Sequence, residues 1–320
     1  MLNQADDEDS LQEVGMNNIL NDSVEPYYTT DYGTAYLGDA LELAKKLPDT
    51  SINLIMTSPP FALTTKKAYG NADSGNYIEW FKPFAHEFWR VLKEDGSLVI
   101  HLGGSWDKGR PTRSLYHFEL LLDLCRNGHE ARFYFAQDFY WFNYAKLPLP
   151  AEWVTVQRIR AKDAVDPIWW LSKSPFPKAD NRQVLSPYSE KTDSLLKLKQ
   201  GHRGPSGHNS SLKFKRKLDG AIPPNLLYIA NSESNSQYLC SCRKVGIRPH
   251  PARYPVELPK FFIEFLTDQD DIVLDPFGGS NATGEAAERT NRNWICFELR
   301  EEYLKGSKYR FQLPEEIKDN

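Results

Sequence analysis

Two short segments carry residue types that are uncommon outside a reactive site. The first is Ser58-Pro59-Pro60-Phe61, directly after the apolar run Ser51–Thr57. Nothing in it is a strong base or nucleophile, so hydrolytic and redox chemistry have no obvious agent there. Its two prolines forbid both helix and ladder continuation. They fix a turn that presents backbone carbonyls, one hydroxyl and one aromatic face. That set suits an exocyclic amino group. The lone pair of such a nitrogen is delocalised into its ring, and it attacks poorly until acceptors hold its hydrogens and localise the pair. Ser58 Oγ and a prolyl carbonyl can serve as those acceptors, and Phe61 can stack on a base. Taken alone, the tetrapeptide also reads as an ordinary structural turn.

The second segment, residues 271–284, contains Asp275-Pro276-Phe277-Gly278-Gly279-Ser280. An apolar strand runs into a turn whose glycines let the backbone approach a ligand. A helix then begins with its free N–H groups aimed at that ligand. The next strand ends in Glu298, twenty positions after Gly278, a spacing that suits a carboxylate accepting hydrogen bonds from ribose hydroxyls. The turn is not GxGxxG, which disfavours a dinucleotide.

The elements that must position these segments follow from hydrophobic periodicity. Strands are expected at Thr34–Leu37, Ser51–Thr57, Ser97–Leu102, Phe133–Phe142, Val165–Ser172, Asp271–Asp275 and Trp294–Glu298. Helices are expected at Ala40–Leu47, Tyr77–Leu92, Arg113–Cys125, Leu258–Leu266 and Asn281–Arg289, with Glu94-Asp95-Gly96 closing the second. The alternation predicts an α/β fold with a doubly wound, mostly parallel sheet, in which ligands bind beyond the carboxyl ends of the strands. Between Lys173 and Arg248 no clear period survives, which predicts an inserted, basic, loop-rich module. The expected organisation is a mobile acidic tail at 1–31, an α/β domain at 32–172 and 249–313, and the insertion at 173–248.

The 320 residues are 40% hydrophobic, enough for a buried core. There is no apolar run long enough for a membrane span and no secretion signal, so no membrane partner is expected and the cytoplasm of a prokaryote is the expected location. Four scattered cysteines fit neither a disulfide framework nor a zinc spacing. The net charge of −4 conceals a division along the chain. Residues 1–31 hold eight acidic side chains and no Lys or Arg, leaving 39 basic against 35 acidic residues elsewhere. Residues 173–248 hold 14 Lys/Arg and 5 Asp/Glu, which marks them as the place for a polyanion to dock.

Together these motifs identify a family. Ser58–Phe61 resembles motif IV, and Asp275–Ser280 motif I, of the amino-methyltransferases of restriction–modification systems. The catalytic motif comes first and the basic insertion lies between, the order of the β class. The chain resembles above all the N4-cytosine members of PvuII type, over roughly residues 27–313. The resemblance implies S-adenosylmethionine as cofactor, S-adenosylhomocysteine as product and no metal. It implies that Glu298 binds the cofactor ribose, that Asp39 lies near the adenine, and that His250–Pro255, similar to motif X, covers the methionine end. Ser before Pro-Pro is commoner in N4-cytosine enzymes than in N6-adenine ones, a preference drawn from the family.

Within the insertion, Arg203, Ser206 and His208 are expected to reach base edges, and Lys213, Lys215, Arg216 and Lys217 phosphates. Phe139–Asn143 resembles motif VIII and reads equally as a stacking wall for a flipped base or as an aromatic core strand. Trp169-Trp170 reads as core. His101 follows a predicted strand near the pocket rim, where a structural histidine is the commoner reading. The expected partners are duplex DNA and, as a system partner without a stable complex, a cognate restriction endonuclease, with the chain a monomer or weak dimer. The rivals are an N6-adenine enzyme of the same class, an RNA or protein methyltransferase, and a non-catalytic DNA-binding protein with a vestigial cofactor site.

Overall fold

The computed structural model describes residues 19–20, 24–62, 74–126, 131–188, 219–231 and 233–313. Most of the expected acidic tail lies outside them. The described residues contain one nine-stranded sheet. In chain order its strands are β1 (Tyr28–Thr29), β2 (Gly33–Leu37), β3 (Ile52–Thr57), β4 (Leu92–His101), β5 (Tyr134–Phe142), β6 (Val165–Ser172), β7 (Leu226–Leu227), β8 (Ile272–Asp275) and β9 (Asn293–Glu298). The spatial order is β1-β2-β9-β8-β3-β4-β6-β5-β7. From β2 to β4 every pair is parallel, whereas β6 runs antiparallel to both β4 and β5.

The central strands are apolar on both faces because both faces are covered. Along β3, Ile52 and Ile55 enter one core while Leu54 and Met56 enter the other. In β9 the alternation is Ile295 and Phe297 against Trp294 and Cys296. The first core is roofed by α1 (Ala40–Ala44), α2 (Tyr77–Val91) and α3 (Tyr116–Arg126). The second is roofed by α5 (Glu257–Leu266), α6 (Ala282–Arg289) and α7 (Glu301–Ser307). This is the doubly wound arrangement. Along α2 the buried positions Tyr77, Phe81, Phe84, Ala85, Phe88 and Val91 recur at helical spacing and form one aromatic stripe against the sheet.

Topology fixes where a ligand can sit. The connection leaving β3 passes over the first core to β4, and the connection leaving β8 passes over the second core to β9. Because β3 and β8 are parallel neighbours whose connections leave to opposite faces, the winding of the sheet switches between them, and a crevice opens at their carboxyl ends. Ser58 follows β3 and Pro276 follows β8, so the two segments with chemical potential flank that crevice. The loops after β4 and β5, and the one before β6, open on the same edge.

The elements depart from expectation in several places, among them the unforeseen β1 and α7. Glu94–Gly96 does not end a helix: α2 stops at Val91, β4 starts at Leu92, and the three residues bulge within the strand, whose register jumps from Ile52↔Leu92 to Leu54↔Ser97. The described flanks of 173–248 are also more ordered than their composition suggested. Lys178 pairs with Asp268 and Asp271, β7 adds to β5, and α4 (Gln237–Lys244) packs Tyr238, Leu239 and Cys242 against Tyr309. Proline, serine and charge dominate these flanks, yet a few apolar anchors tie them to the sheet domain.

Candidate functional site

The crevice is a cavity of about 640 Å³, within the range that holds a cofactor and part of a substrate. One side is lined by Ser58, Pro59, Pro60 and Phe61, the other by Pro276, Phe277, Gly278, Gly279 and Ser280, with Asp39 and Glu298 at the ends of β2 and β9. The sequence separates these groups by more than 200 positions; the parallel register brings them to one edge.

The turn after β8 is built for close approach. A Cβ on Gly278 would lie 2.0 Å from Cys296 Sγ, and Gly279 has φ +54° with the ring of His250 3.3 Å from where its Cβ would be. Asn281, also left-handed at φ 56°, caps α6 by accepting from Gly284 N at 3.0 Å. Glu298 holds the turn from the neighbouring strand. Its carboxylate accepts from Gly279 N and Arg300 N, both at 2.8 Å, and keeps lone pairs for donors in the cavity. Burial, only partly offset by those donors, raises its pKa. Ser280 Oγ accepts from the buried Arg310 at 2.9 Å, so this hydroxyl is part of the scaffold. Asp39 caps α1, accepting from Leu41 N and Glu42 N at 2.9 and 3.2 Å.

Asp275 departs from its expected place among cofactor contacts. It is not among the cavity-lining residues; it is buried and accepts from Thr283 Oγ1 at 2.6 Å, Thr57 Oγ1 at 2.8 Å, Phe277 N at 3.1 Å and Tyr254 OH at 3.2 Å. It ties β3, β8 and α6 together beneath the cavity floor. Full burial, opposed by these donors, raises its pKa.

On the opposite wall, Tyr77 OH donates to the Pro60 carbonyl at 2.9 Å and fixes the turn from α2. Phe61 packs edge-on against His101, ring centroids 5.5 Å apart, in a space that exists because Gly103 has no Cβ. Ser58 Oγ lies 3.0 Å from His101 Nδ1. His101 is 7% exposed, and the Asp166 carboxylate is 3.8 Å from its Nε2. Asp166 in turn pairs with Lys146. Burial opposes ionisation of Asp166, but His101 and Lys146 more than offset it and hold its carboxyl below the usual range.

Several lining residues were not singled out from the sequence. Trp80 and Phe84 of α2 form an aromatic wall with Phe277, at centroid distances of 6.0 and 5.3 Å. Their helical spacing signalled a buried face, not a pocket. Asp166 and Asn231 also line the cavity, and no local motif marks them. Along the aromatic stretch Phe139, Trp141 and Asn143 share one side of the strand, where Trp141 and Asn143 line the cavity and Phe139, farther back, packs against Phe262, whereas Phe142 lies against Tyr228. His250 to Tyr254 close the cavity above Gly279, and burial lowers the His250 pKa to about 4. Trp169 and Trp170 are buried in the core. Arg203, Ser206, His208, Lys213, Lys215, Arg216 and Lys217 lie outside the described residues.

A family described as DNA methylase, of N6/N4 methyltransferase type, matches residues 52–309. The type II methyltransferase M.PvuII of Proteus hauseri is 49% identical over 306 residues, which span 94% of this chain and 90% of that protein. The type II methyltransferase M.BamHI of Bacillus amyloliquefaciens is 27% identical over 86% of this chain and 56% of its own length. Among solved structures, the PvuII DNA methyltransferase described as cytosine-N4-specific superposes with a TM-score of 0.75 at 46% identity, covering 92% of this chain and 91% of that one. A Thermus thermophilus protein solved with S-adenosyl-L-methionine has a TM-score of 0.54 at 20% identity and shares the fold, over 87% of this chain and 92% of its own.

Proposed function

The chain belongs to the DNA methylases of N6/N4 type, and from that premise we propose that it methylates N4 of cytosine in duplex DNA as the modification enzyme of a type II restriction–modification system. The observation that carries this reading is the meeting of Ser58–Phe61 with Gly278–Ser280 and Glu298 in one crevice of a chain this similar to a cytosine-N4 enzyme. S-adenosylmethionine supplies an activated methyl group on a sulfonium centre. The residues present fit it. Glu298 keeps acceptor capacity for ribose hydroxyls, Asp39 stands beside it, and Phe277 with Trp80 and Phe84 offers an apolar wall for the adenine.

The other half of the cavity takes a flipped cytosine, because N4 cannot be reached inside a duplex. Phe61 and Trp141 offer aromatic surface to the extruded ring. Ser58 Oγ accepts one amino hydrogen. With Pro60's carbonyl already receiving the Tyr77 hydroxyl, Pro59's carbonyl is the backbone acceptor for the other. Holding both hydrogens localises the nitrogen lone pair toward the methyl donor, so the protein acts by positioning and by preorganised acceptors.

The α/β domain at 32–172 and 249–313 is assigned to catalysis, and 173–248 to target recognition. The system partner is a restriction endonuclease that reads the same site, met through DNA and not in a stable complex. A monomer or weak dimer modifies one half-site at a time, in the cytoplasm where bacterial DNA lies; among the described residues no helix is long and apolar enough to cross a membrane. Incubation with methyl-labelled S-adenosylmethionine and mixed duplex DNA, followed by digestion and mass spectrometry of nucleosides, tests the reading. Labelled N4-methylcytosine is expected. Labelled N6-methyladenine would overturn the base assignment, and label confined to RNA would overturn the substrate.

A further inference from the structure

We propose that His101 is a positioning residue that takes the amino proton of the target base through Ser58, with Asp166 and Lys146 balancing the charge. The proposal rests on the methyl-transfer reading above and addresses what that reading leaves open, the destination of a proton. When the amino nitrogen gives its lone pair to the methyl carbon, the carbon–sulfur bond breaks with its electrons left on sulfur. The nitrogen is then cationic and carries one proton too many. A serine hydroxyl cannot keep that proton, since it is a very weak base. It can pass its own proton on while receiving another.

The geometry supplies the next acceptor. Ser58 Oγ lies 3.0 Å from His101 Nδ1, hydrogen-bonding distance. For Nδ1 to accept, the ring hydrogen must sit on Nε2, and Nε2 is buried with no hydrogen-bond partner, its nearest carboxylate being Asp166 Oδ2 at 3.8 Å. A neutral imidazole gains little from that arrangement. An imidazolium gains an ion pair with a carboxylate that is itself 6% exposed. As the amino nitrogen yields its proton to Ser58 Oγ, the hydroxyl proton moves to Nδ1 and the ring becomes cationic beside Asp166. Release of product lets the ring return that proton to solvent through the open cavity.

The groups that face the ring from each neighbouring element leave it this task. From the end of β3 comes Ser58; from the turn beyond it Phe61, centroid 5.5 Å away; from β5 Trp141 at 5.7 Å. Ahead of α5, Tyr254 lies 6.0 Å away, but its hydroxyl is engaged with Thr283 and Asp275. Among these described neighbours, Asp166 of β6 is the charged group that faces the ring, with Lys146 behind it. The three aromatic rings pack around the imidazole and leave Ser58 as the hydrogen-bonding group at Nδ1.

His101→Asn separates a relay from a packing role, because the amide oxygen can still accept from Ser58 Oγ–H but takes no proton. The expected result is a single-turnover methyl-transfer rate lowered by about 10²-fold, the scale of general-base loss. Affinities for S-adenosylmethionine and DNA, read by calorimetry and gel shift, should stay within a few-fold. The rate is read at saturating S-adenosylmethionine and DNA, so that the loss reports the transfer step and not binding. Asp166→Asn, which removes the carboxylate facing Nε2, should lower the same rate while leaving both affinities within a few-fold. In ¹⁵N-histidine-labelled enzyme without ligands, Ser58→Ala should shift the His101 Nδ1 resonance. A His101→Asn rate within a few-fold of wild type, or a His101 Nδ1 resonance unmoved by Ser58→Ala, would overturn the relay. Absence of N4-methylcytosine with the wild type would instead overturn the function on which it rests.

Discussion

At the scale of single residues, the site is a set of acceptors whose remaining capacity decides what they can do. Ser58→Ala removes the acceptor for one amino hydrogen but nothing that the cofactor half of the cavity uses. Single-turnover transfer should drop about 10²-fold, the usual loss for one preorganised partner, with S-adenosylmethionine affinity kept. A near wild-type rate would remove Ser58 from the chemistry. Glu298 makes the opposite prediction. Its carboxylate already holds Gly279 N and Arg300 N, and burial raises its pKa. Ribose hydroxyls donate to the ionised form, so cofactor binding must release a proton wherever Glu298 is partly protonated. Affinity should therefore weaken as pH falls through the raised pKa of Glu298, which calorimetry from about pH 8 down to about pH 5 would read. Glu298→Ala should weaken binding at least about tenfold, the loss of one hydrogen bond to a charged group. It should also flatten the pH dependence; unchanged affinity would refute the assignment. The sequence named both residues because local motifs carry them. It missed Asp166, which reaches the cavity because β6 runs antiparallel to β4 and so brings its first residues to the carboxyl edge of the central strands, and which has no flanking pattern.

At the scale of elements, the β8 turn is the part most constrained by its neighbours. Gly278 is required less by its own dihedral angles than by Cys296 on β9, whose Sγ would be 2.0 Å from an added Cβ. Gly278→Ala should destabilise the protein by about 1–3 kcal/mol, as overpacking does, and weaken cofactor binding. Adding Cys296→Ala removes the clashing sulfur, while the Cys296 Cβ at 3.5 Å stays in ordinary contact. The double variant should then be more stable than the sum of the single effects by about 1 kcal/mol or more, as urea unfolding would measure. Strict additivity would mean that the glycine serves something other than this contact. Gly-Gly after an apolar strand announced a close approach, but that Gly278 meets Cys296 and Gly279 meets His250 follows from the tertiary packing. The same limit explains the bulge at Glu94–Gly96. The Asp-Gly pair reads as a turn in the sequence, and pairing with β3 on both sides makes it a bulge within one strand. Where periodicity was strong, as in β3, β6 and α2, expected and observed elements agree to within a few residues, because both faces of a buried element constrain its residues.

At the scale of the whole molecule, the question is which cations are left for DNA. Residues 173–248 carry 14 Lys/Arg, but those on the described flanks are partly committed to the fold. Lys173 donates to Leu92 O at 3.0 Å and lies over the Trp89 ring, Lys178 bridges Asp268 and Asp271, and Arg182 clasps Asp180. The remaining charge is concentrated at 189–218, which holds eight Lys/Arg against two acidic residues. Two sets of substitutions should therefore behave differently, although each removes positive charge from the same segment. Replacing Lys213, Lys215, Arg216 and Lys217 by Gln should weaken binding to specific and unrelated duplexes alike. It should also reduce the slope of log affinity against log salt by about 0.9 for each phosphate no longer neutralised. Lys178→Met should lower the melting temperature, since Asp271 would lose its cationic partner beside β8, and leave the salt slope as in the wild type. A slope unchanged by the four Gln substitutions would place the phosphate-binding surface elsewhere, and the loops around the cavity at residues 104–113 and 144–162 would be the next to test. A slope that fell with Lys178→Met would mean that the flank itself meets DNA, and that its ion pairs exchange for phosphates when the complex forms.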